Sequence, residues 1–189
     1  MNIPSHGKYK WLPILYHLVD TLEPKKIVEL GPATGLTTIT MAQSLKENNI
    51  NGHINSYDIW NNAYWGTKEN CSKTIMEWKV QNYISLWHLD FYDWIEKDEE
   101  FDFLYFDIDN NGENLLELYE IVKDKIDNGS VIAFEGGSVE RDKYIKDKTT
   151  MNEVKDTVGY TVLTPDIKYS FSVIYNRDMY ELETTVNKR

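Results

Sequence analysis

The sequence predicts an α/β fold built on a seven-stranded, mostly parallel sheet, and three observations carry that expectation. Short apolar runs alternate with segments of helical periodicity along the chain, the pattern of strand–helix–strand units. Phe101 to Phe106 is an almost continuous apolar run, as a central parallel strand covered on both faces requires. The last two runs are joined by a short link containing Pro165. That link is too short for a crossover helix, so these two strands should be antiparallel.

The elements follow in order. Residues 9 to 22 place Trp11, Leu12, Leu15, Leu18, Val19 and Leu22 at helical spacing, with Pro13 in the first turn, where a missing N–H costs nothing. Glu23-Pro24-Lys25-Lys26 ends that helix, and a strand covers 26 to 30. A glycine loop leads into a helix from about 35 to 48, which stops at Asn48-Asn49. His53 to Asp58 is a second strand, Lys68 to Val80 a helix and Tyr83 to Leu89 a third strand. After the Phe101 to Phe106 strand come a helix from Glu113 to Lys125 and a strand from Ser130 to Phe134, divided by the turn pair Asn128-Gly129. A polar helix is expected over Arg141 to Asp156, followed by strands at Tyr160 to Leu163 and Ser170 to Tyr175.

At 189 residues the expectation is one domain, 1–189, with residues 1–24 forming a helix that caps the ligand crevice. The formal net charge of -11 disfavours nucleic acid, whose phosphates it would repel. No apolar run reaches membrane-spanning length, and Met1 to His6 lacks an apolar signal core. The single cysteine, Cys71, excludes an internal disulfide framework. A cytoplasmic protein without membrane or nucleic-acid partners is therefore expected.

The chemistry concentrates at the predicted strand ends, where open α/β sheets bind ligands. Ile27-Val28-Glu29-Leu30-Gly31-Pro32-Ala33-Thr34-Gly35 is a strand, an acidic residue and a tight turn before a helix. The loop is E-x-G-x-A-x-G, without G-x-G-x-x-G spacing and without a phosphate-loop lysine. Glu29 beside the turn suits a ligand bearing positive charge or hydroxyls better than a pyrophosphate. Asp58 ends the second strand, Asp90 follows the third, Asp107 ends the fourth and Glu135 ends the fifth. Five carboxylates facing one crevice would repel one another unless cations or hydrogen-bond donors met them.

These motifs resemble the class I S-adenosylmethionine-dependent methyltransferases. The residues that carry the resemblance are the loop, Tyr57-Asp58-Ile59-Trp60, Leu89-Asp90-Phe91 and Phe106-Asp107-Ile108-Asp109. It spans roughly Lys25 to Tyr175 and is closest to the small-molecule O-methyltransferases that tailor sugars and natural products. In that branch the matching segments are Asp58-Ile59-Trp60, Asp107 through Glu113, and Gly129 through Glu135. The resemblance implies a Rossmann-like three-layer sandwich, with an antiparallel last strand, that binds S-adenosylmethionine. It implies that Gly31, Pro32, Ala33, Thr34 and Gly35 pass under the methionine part, with Glu29 near the amino group. Asp58 would accept from the two ribose hydroxyls, as a carboxylate with two acceptor oxygens can. Ile59 and Trp60 would flank the adenine, Asp90 would receive its exocyclic amine, and Phe91 would pack nearby. Asp107 would face the methionine ammonium and the reacting region.

For catalysis the resemblance points to Asp107, Asp109 and Asn110. It also implies a divalent cation of the Mg type on Asp107, Asp109 and Glu135, which would lower the pKa of an acceptor hydroxyl. Two positions depart from the family pattern. Gly136 stands where an acidic or amide ligand is usual, and Asn110 stands where the related branch more often has His. His6 and His17 are expected at the surface, His88 inside a strand, and His53 has no partner in view. Trp60, Tyr64 and Trp65 follow a ligand-binding strand end, where each is more simply a packing residue. Leu89-Asp90-Phe91 also fits a plain turn, and the run Glu140-Arg141-Asp142-Lys143 reads most simply as solvated surface.

The expected function is S-adenosylmethionine-dependent methyl transfer to a small-molecule acceptor, at a hydroxyl oxygen, and a homo-oligomer could complete the pocket. Two alternatives stand beside it. One is a catalytically inactive cofactor-binding module with an interaction or regulatory role. The other is a nicotinamide-dependent oxidoreductase, disfavoured by the glycine spacing and the acidic first strand end.

Overall fold

The computed structural model describes residues 9–61 and 66–179. Seven strands form one sheet in the order β3-β2-β1-β4-β5-β7-β6, and the chain divides into two compact units, residues 1–109 and 110–189.

The first unit holds helices α1 (Leu12–Leu22), α2 (Leu36–Glu47), α3 (Lys68–Glu77) and α4 (Phe91–Ile95). Its strands are β1 (Lys26–Leu30), β2 (His53–Asp58), β3 (Ile84–His88) and β4 (Phe103–Phe106). β1 is the axis of this unit, parallel to β2 on one side and to β4 on the other, and β2 is parallel to β3. The chain therefore winds outward from β1 through β2 to β3 and returns to β1's other edge as β4. That reversal makes the carboxyl ends of β1 and β4 a topological switch point. All four residues of β4 are buried, and the Tyr105 ring lies 6.0 Å from that of Trp11 before α1. Each such aromatic removed from water contributes roughly 2–3 kcal/mol. α1 starts with proline in its first turn, as expected, and ends at Glu23 in the left-handed region with φ 45°. It is fastened to α2 by Ser44 Oγ donating to the Tyr16 carbonyl and by Tyr16 OH donating to Glu47.

The second unit holds α5 (Gly112–Asp127), β5 (Val131–Glu135), α6 (Val139–Asp142), α7 (Lys155–Val158), β6 (Thr161–Val162) and β7 (Phe171–Ile174). β7 runs antiparallel to β5, and β6 runs antiparallel to β7, so the expected reversal of direction at the end of the sheet is present. Phe134 and Tyr160 meet edge to face at 5.1 Å.

Two expectations need correction. The polar helix predicted over Arg141 to Asp156 is broken: α6 ends at Asp142, and helix resumes only in a short turn at Asn152–Val154 and in α7. The reason is tertiary. Gly112 N–H donates to the Thr149 carbonyl and Thr149 Oγ1 donates to Glu113, so this segment satisfies the start of α5 instead of its own helical ladder. The second correction is α4, a short helix that the apolar periodicity does not reveal. Asp90 caps it by accepting from Tyr92 N–H at 2.8 Å, a common arrangement at a helix start.

Among the described residues of the first unit, Glu29 is the one carboxylate fully out of water, with 0% exposure in the middle of β1. Its Oε1 accepts from Thr37 Oγ1 at 2.6 Å, and its Oε2 from Thr38 Oγ1 at 2.6 Å and Ser56 Oγ at 2.5 Å. Thr37 and Thr38 open α2 and Ser56 lies in β2, so one side chain ties β1, β2 and α2 together. In this structure the oxygens of Glu29, expected near the cofactor's amino group directly or through water, accept from hydroxyls inside the protein and are closed to solvent. Gly31 has a similar structural reason. With φ at +90° it brings the loop so close to the end of β4 that a Cβ there would sit 2.2 Å from the Asp107 carbonyl oxygen.

Burial raises the Glu29 pKa above its ordinary value of 4.5, against the lowering by its hydroxyl donors. A carboxyl raised in the folded state favours folding most when protonated, so its contribution is full below the ordinary carboxyl range and falls as pH rises through the folded pKa. Glu29→Gln cannot titrate. Its stability relative to the wild type should therefore improve as pH rises from the ordinary carboxyl range through the raised folded pKa and then level off, read as urea midpoints across pH. A difference that stays constant with pH would contradict this account. For Gly31→Ala a loss of about 2–4 kcal/mol is expected from the clash and the positive φ, and an unchanged urea midpoint would show that the loop can back away.

Candidate active site

In the first unit the loop 31–35 turns tightly at the carboxyl end of β1, with Gly31 N–H donating to the Tyr57 carbonyl at 2.9 Å and Gly35 N–H to the Pro32 carbonyl at 2.7 Å. Pro32 and Gly35 are buried, Gly31 and Ala33 half-buried and Thr34 exposed. Ala33 takes a left-handed φ of 48°, which turns its N–H onto Asp58 Oδ2 at 3.2 Å. The other oxygen of Asp58 accepts from Trp60 N–H at 2.8 Å. The half-buried carboxylate is thus held by two backbone donors, one on each oxygen, beside the loop. A carboxylate oxygen has a second lone pair, so the two acceptor oxygens fit the hydroxyls of a vicinal diol placed against Asp58.

Ile59 and Trp60 follow Asp58 and are half-buried. Trp60 sits at φ 39°, its ring 6.5 Å from the His88 ring at the end of β3 and under the Lys68 ammonium at 5.5 Å. Its indole N–H points to the Ala33 carbonyl at 3.4 Å. Trp60 therefore bridges the ends of β2 and β3 and the glycine loop. Tyr64 and Trp65 lie outside the described residues, as does His6.

Asp90 and Phe91 take other work. Asp90 uses one oxygen as the cap of α4. Phe91 is 6% exposed, with its ring 5.8 Å from that of Phe106. His53 does have a partner, with Nε2 at 2.9 Å from Ser85 Oγ. Cys71 is buried, and burial with the charges of Glu29 and Asp58 pushes its thiol up to about 12, a value that excludes a ready thiolate nucleophile. Asp107 and Asp109 are half-buried and flank the exposed Ile108 after β4.

In the second unit a charged group stands where the sequence predicts only solvated surface. Arg141 has only 14% of its side chain exposed and pairs through Nη2 with Glu135 Oε1 at 3.1 Å. Its Nε donates to Asn110 Oδ1 at 3.0 Å, and its guanidinium lies over the Tyr169 ring at 5.1 Å. α6 is capped by Ser138 Oγ, which accepts from the Arg141 N–H at 3.0 Å, and this fixes where the side chain starts. Gly136 explains how Asn110 reaches the pair. A Cβ at 136 would stand 2.7 Å from Asn110 Oδ1 and 2.9 Å from Met151 Sδ, at a φ of +114°. The signal available in the sequence was a single basic residue a few positions after an acidic strand end.

This arrangement bears on the expected divalent cation. Among the described residues no group of three His, Cys, Asp or Glu side chains is placed to hold a metal ion, and Glu135, the third expected ligand, already faces a guanidinium. The residues present do not fit the proposed metal set.

The segment after Glu135 lines a cleft of about 640 Å³ in the second unit. Gly137, Ser138, Tyr160 and Lys155 are among its walls, with Tyr160 OH donating to the Gly137 carbonyl at 2.8 Å. No helix among the described residues is long and apolar enough to cross a membrane.

Comparison with known proteins places this geometry. No curated protein matches the chain. Among solved structures, an O-methyltransferase from Bacillus cereus in complex with SAH is 16% identical, with a TM-score of 0.65 over 87% of this chain and 80% of that one. Cofactor-bound Rv0187 from MTB is 14% identical, with a TM-score of 0.68 over 89% of this chain and 80% of that one. The O-methyltransferase TomG from Streptomyces achromogenes, in complex with SAM, is 14% identical, with a TM-score of 0.62 over 87% and 79%. At these identities the likeness is one of fold. The sequence profile of a methyltransferase-domain family matches residues 28–135, from the middle of β1 to the end of β5. That span is more than half of the 189 residues, and the chain belongs to this methyltransferase-domain family.

Proposed function

We propose that the protein transfers a methyl group from S-adenosylmethionine to a hydroxyl oxygen of a small molecule in the cytoplasm, as a single catalytic domain. The observation that carries the reading is Asp58, a half-buried carboxylate fixed at the end of β2 by the Ala33 and Trp60 N–H groups beside the glycine loop. Support also comes from family membership and from neighbours of the same fold described as O-methyltransferases in complex with SAH or SAM.

In this reading Asp58 takes the ribose hydroxyls, the loop Gly31 to Gly35 runs along the methionine part, and Ile59 and Trp60 flank the adenine. Asp107 faces the methionine ammonium, a role suited to a carboxylate at the end of β4 beside Gly31. Asp109 and Asn110 belong to the acceptor side. Glu29 contributes indirectly, by holding the start of α2 and thereby the loop. The sulfonium supplies an activated methyl group, so much of the acceleration comes from alignment of acceptor and cofactor.

Calorimetric titration with S-adenosylhomocysteine, with NAD as control, tests this directly. Micromolar binding of the first and none of the second is expected, and no binding at high micromolar concentration would sink the reading. In Asp58→Ala the affinity should fall by about tenfold to a hundredfold, since hydrogen bonds to a charged acceptor are worth roughly 1.5–3 kcal/mol. Unchanged affinity in a variant that melts like the wild type would refute the placement of the ribose.

A further inference from the structure

We propose that Glu99, in the segment between α4 and β4, is a positioning residue for the cofactor's ribose: it clamps β2 through Asn55 and Tyr57 and so fixes where the Asp58 carboxylate stands. The proposal rests on the reading of Asp58 as the acceptor of the ribose hydroxyls and deepens it, since Glu99 acts on that contact through Tyr57 without touching the ligand.

Glu99 collects three donors from two elements of the first unit. Its Oε1 accepts from Asn55 Nδ2 at 2.9 Å, and its Oε2 accepts from Tyr57 OH at 2.7 Å and Trp94 Nε1 at 2.9 Å. Asn55 and Tyr57 belong to β2 and Trp94 to α4. The network reaches β3 as well, because Trp87 Nε1 donates to Asn55 Oδ1 at 3.2 Å. Tyr57 is held most tightly. Its ring lies 6.4 Å from that of Trp94, and the Lys97 ammonium stands over it at 4.8 Å and donates to its hydroxyl at 3.4 Å. Burial, the hydrogen bond to Glu99 and the charge of Glu99 raise the Tyr57 pKa, so the hydroxyl remains a donor at ordinary pH.

Successive residues of a strand point to opposite faces of the sheet. Ser56 is taken by Glu29 on one face of β2, and its neighbours Asn55 and Tyr57 are taken by Glu99 on the other. The strand is therefore pinned from both faces immediately before Asp58. Tyr57 passes the constraint on in two directions. Its carbonyl accepts from the Gly31 N–H at 2.9 Å, at the head of the glycine loop. Its chain runs straight into Asp58, whose oxygens take the Ala33 and Trp60 N–H groups. A carboxylate that meets two hydroxyls at once has little tolerance, since a binding constellation has to be held within about 0.5 Å of its productive geometry. Glu99 supplies that support from the far side of the strand.

Calorimetric titration of the full chain with S-adenosylhomocysteine and with its 2′,3′-dideoxy analogue separates this role from a merely structural one. The wild type should prefer the first by about tenfold to a hundredfold, because the analogue forfeits both hydrogen bonds to a charged acceptor. In Glu99→Ala that preference should shrink by about fivefold or more, with the analogue bound within about twofold of the wild type. Glu99→Gln, which keeps an acceptor oxygen for Tyr57, should restore most of the preference. In an Asp58→Ala background the effect of Glu99→Ala should vanish, as a double-mutant cycle requires of two coupled residues. If Glu99→Ala does not fold, Tyr57→Phe, which removes only the hydroxyl, should lower the preference in its place. An unchanged preference in the folded variant, equal losses for both probes, or a full loss that persists without Asp58 overturns the proposal. Failure of S-adenosylhomocysteine to bind the wild type, or a wild type with no preference for the diol, would instead bring down the underlying reading, so the two failures are distinguishable.

Discussion

A carboxylate taken fully out of water must be met by donors or it will not ionise, and in this protein that constraint falls on Glu29. Leaving such a group unmet would cost several kcal/mol. Thr37 and Thr38 answer it from the first turn of α2, and Ser56 answers it from β2. The consequence is geometric. β1, β2 and α2 cannot move independently, and the loop between β1 and α2 is held at both ends. Gly31 then lets that loop press against the end of β4, and Ala33 in a left-handed conformation delivers its N–H to Asp58. The placement of Asp58, on which the proposed cofactor site turns, follows from this chain of constraints.

The second unit has its own buried charge, solved in a different way. Glu135 is 4% exposed and is met by a full cation. A buried ion pair is weak support for stability, since desolvation of both partners offsets their attraction. Retention of such a pair calls for another account, and its surroundings suggest one. Asn110 and Tyr169 add a hydrogen bond and a ring face to the guanidinium, contacts that restrict direction more than they add energy. Arg is suited to this because its planar fork orders with little further loss of freedom. A lysine at 141 would carry the charge without the direction.

Much of the fold was legible in the sequence because it is locally encoded. β1 and β2 stand at their expected bounds, since the apolar runs and their flanking turns coincide. α1 and α2 differ by a few residues at their ends. The failures have tertiary causes. The helix expected over Arg141 to Asp156 depends on whether the Thr149 carbonyl serves its own ladder or the Gly112 N–H, and nothing local decides that. At the site, Asp58 and the loop were legible because their spacing is the feature itself. Glu29 was legible as important, but the hydroxyls that meet it were not, because a strand position shows alternation and not what lies above it. Arg141 was hidden among charges of both signs, where burial of one member leaves no trace in composition.

The most instructive difference concerns the acidic strand ends as a set. Taken together, Glu29, Asp58, Asp90, Asp107 and Glu135 call for a common counter-charge, and a metal is the natural candidate. The structure answers four of them separately. Glu29 has hydroxyls, Asp58 has backbone N–H groups, Asp90 caps a helix and Glu135 has a guanidinium. A carboxylate neutralised by its own neighbours makes little claim on its distant fellows, because screening and local donors dominate beyond a few ångströms. A net charge of -11 is therefore not a field concentrated in a crevice. What remains for a ligand is specific: an acceptor for hydroxyls at Asp58.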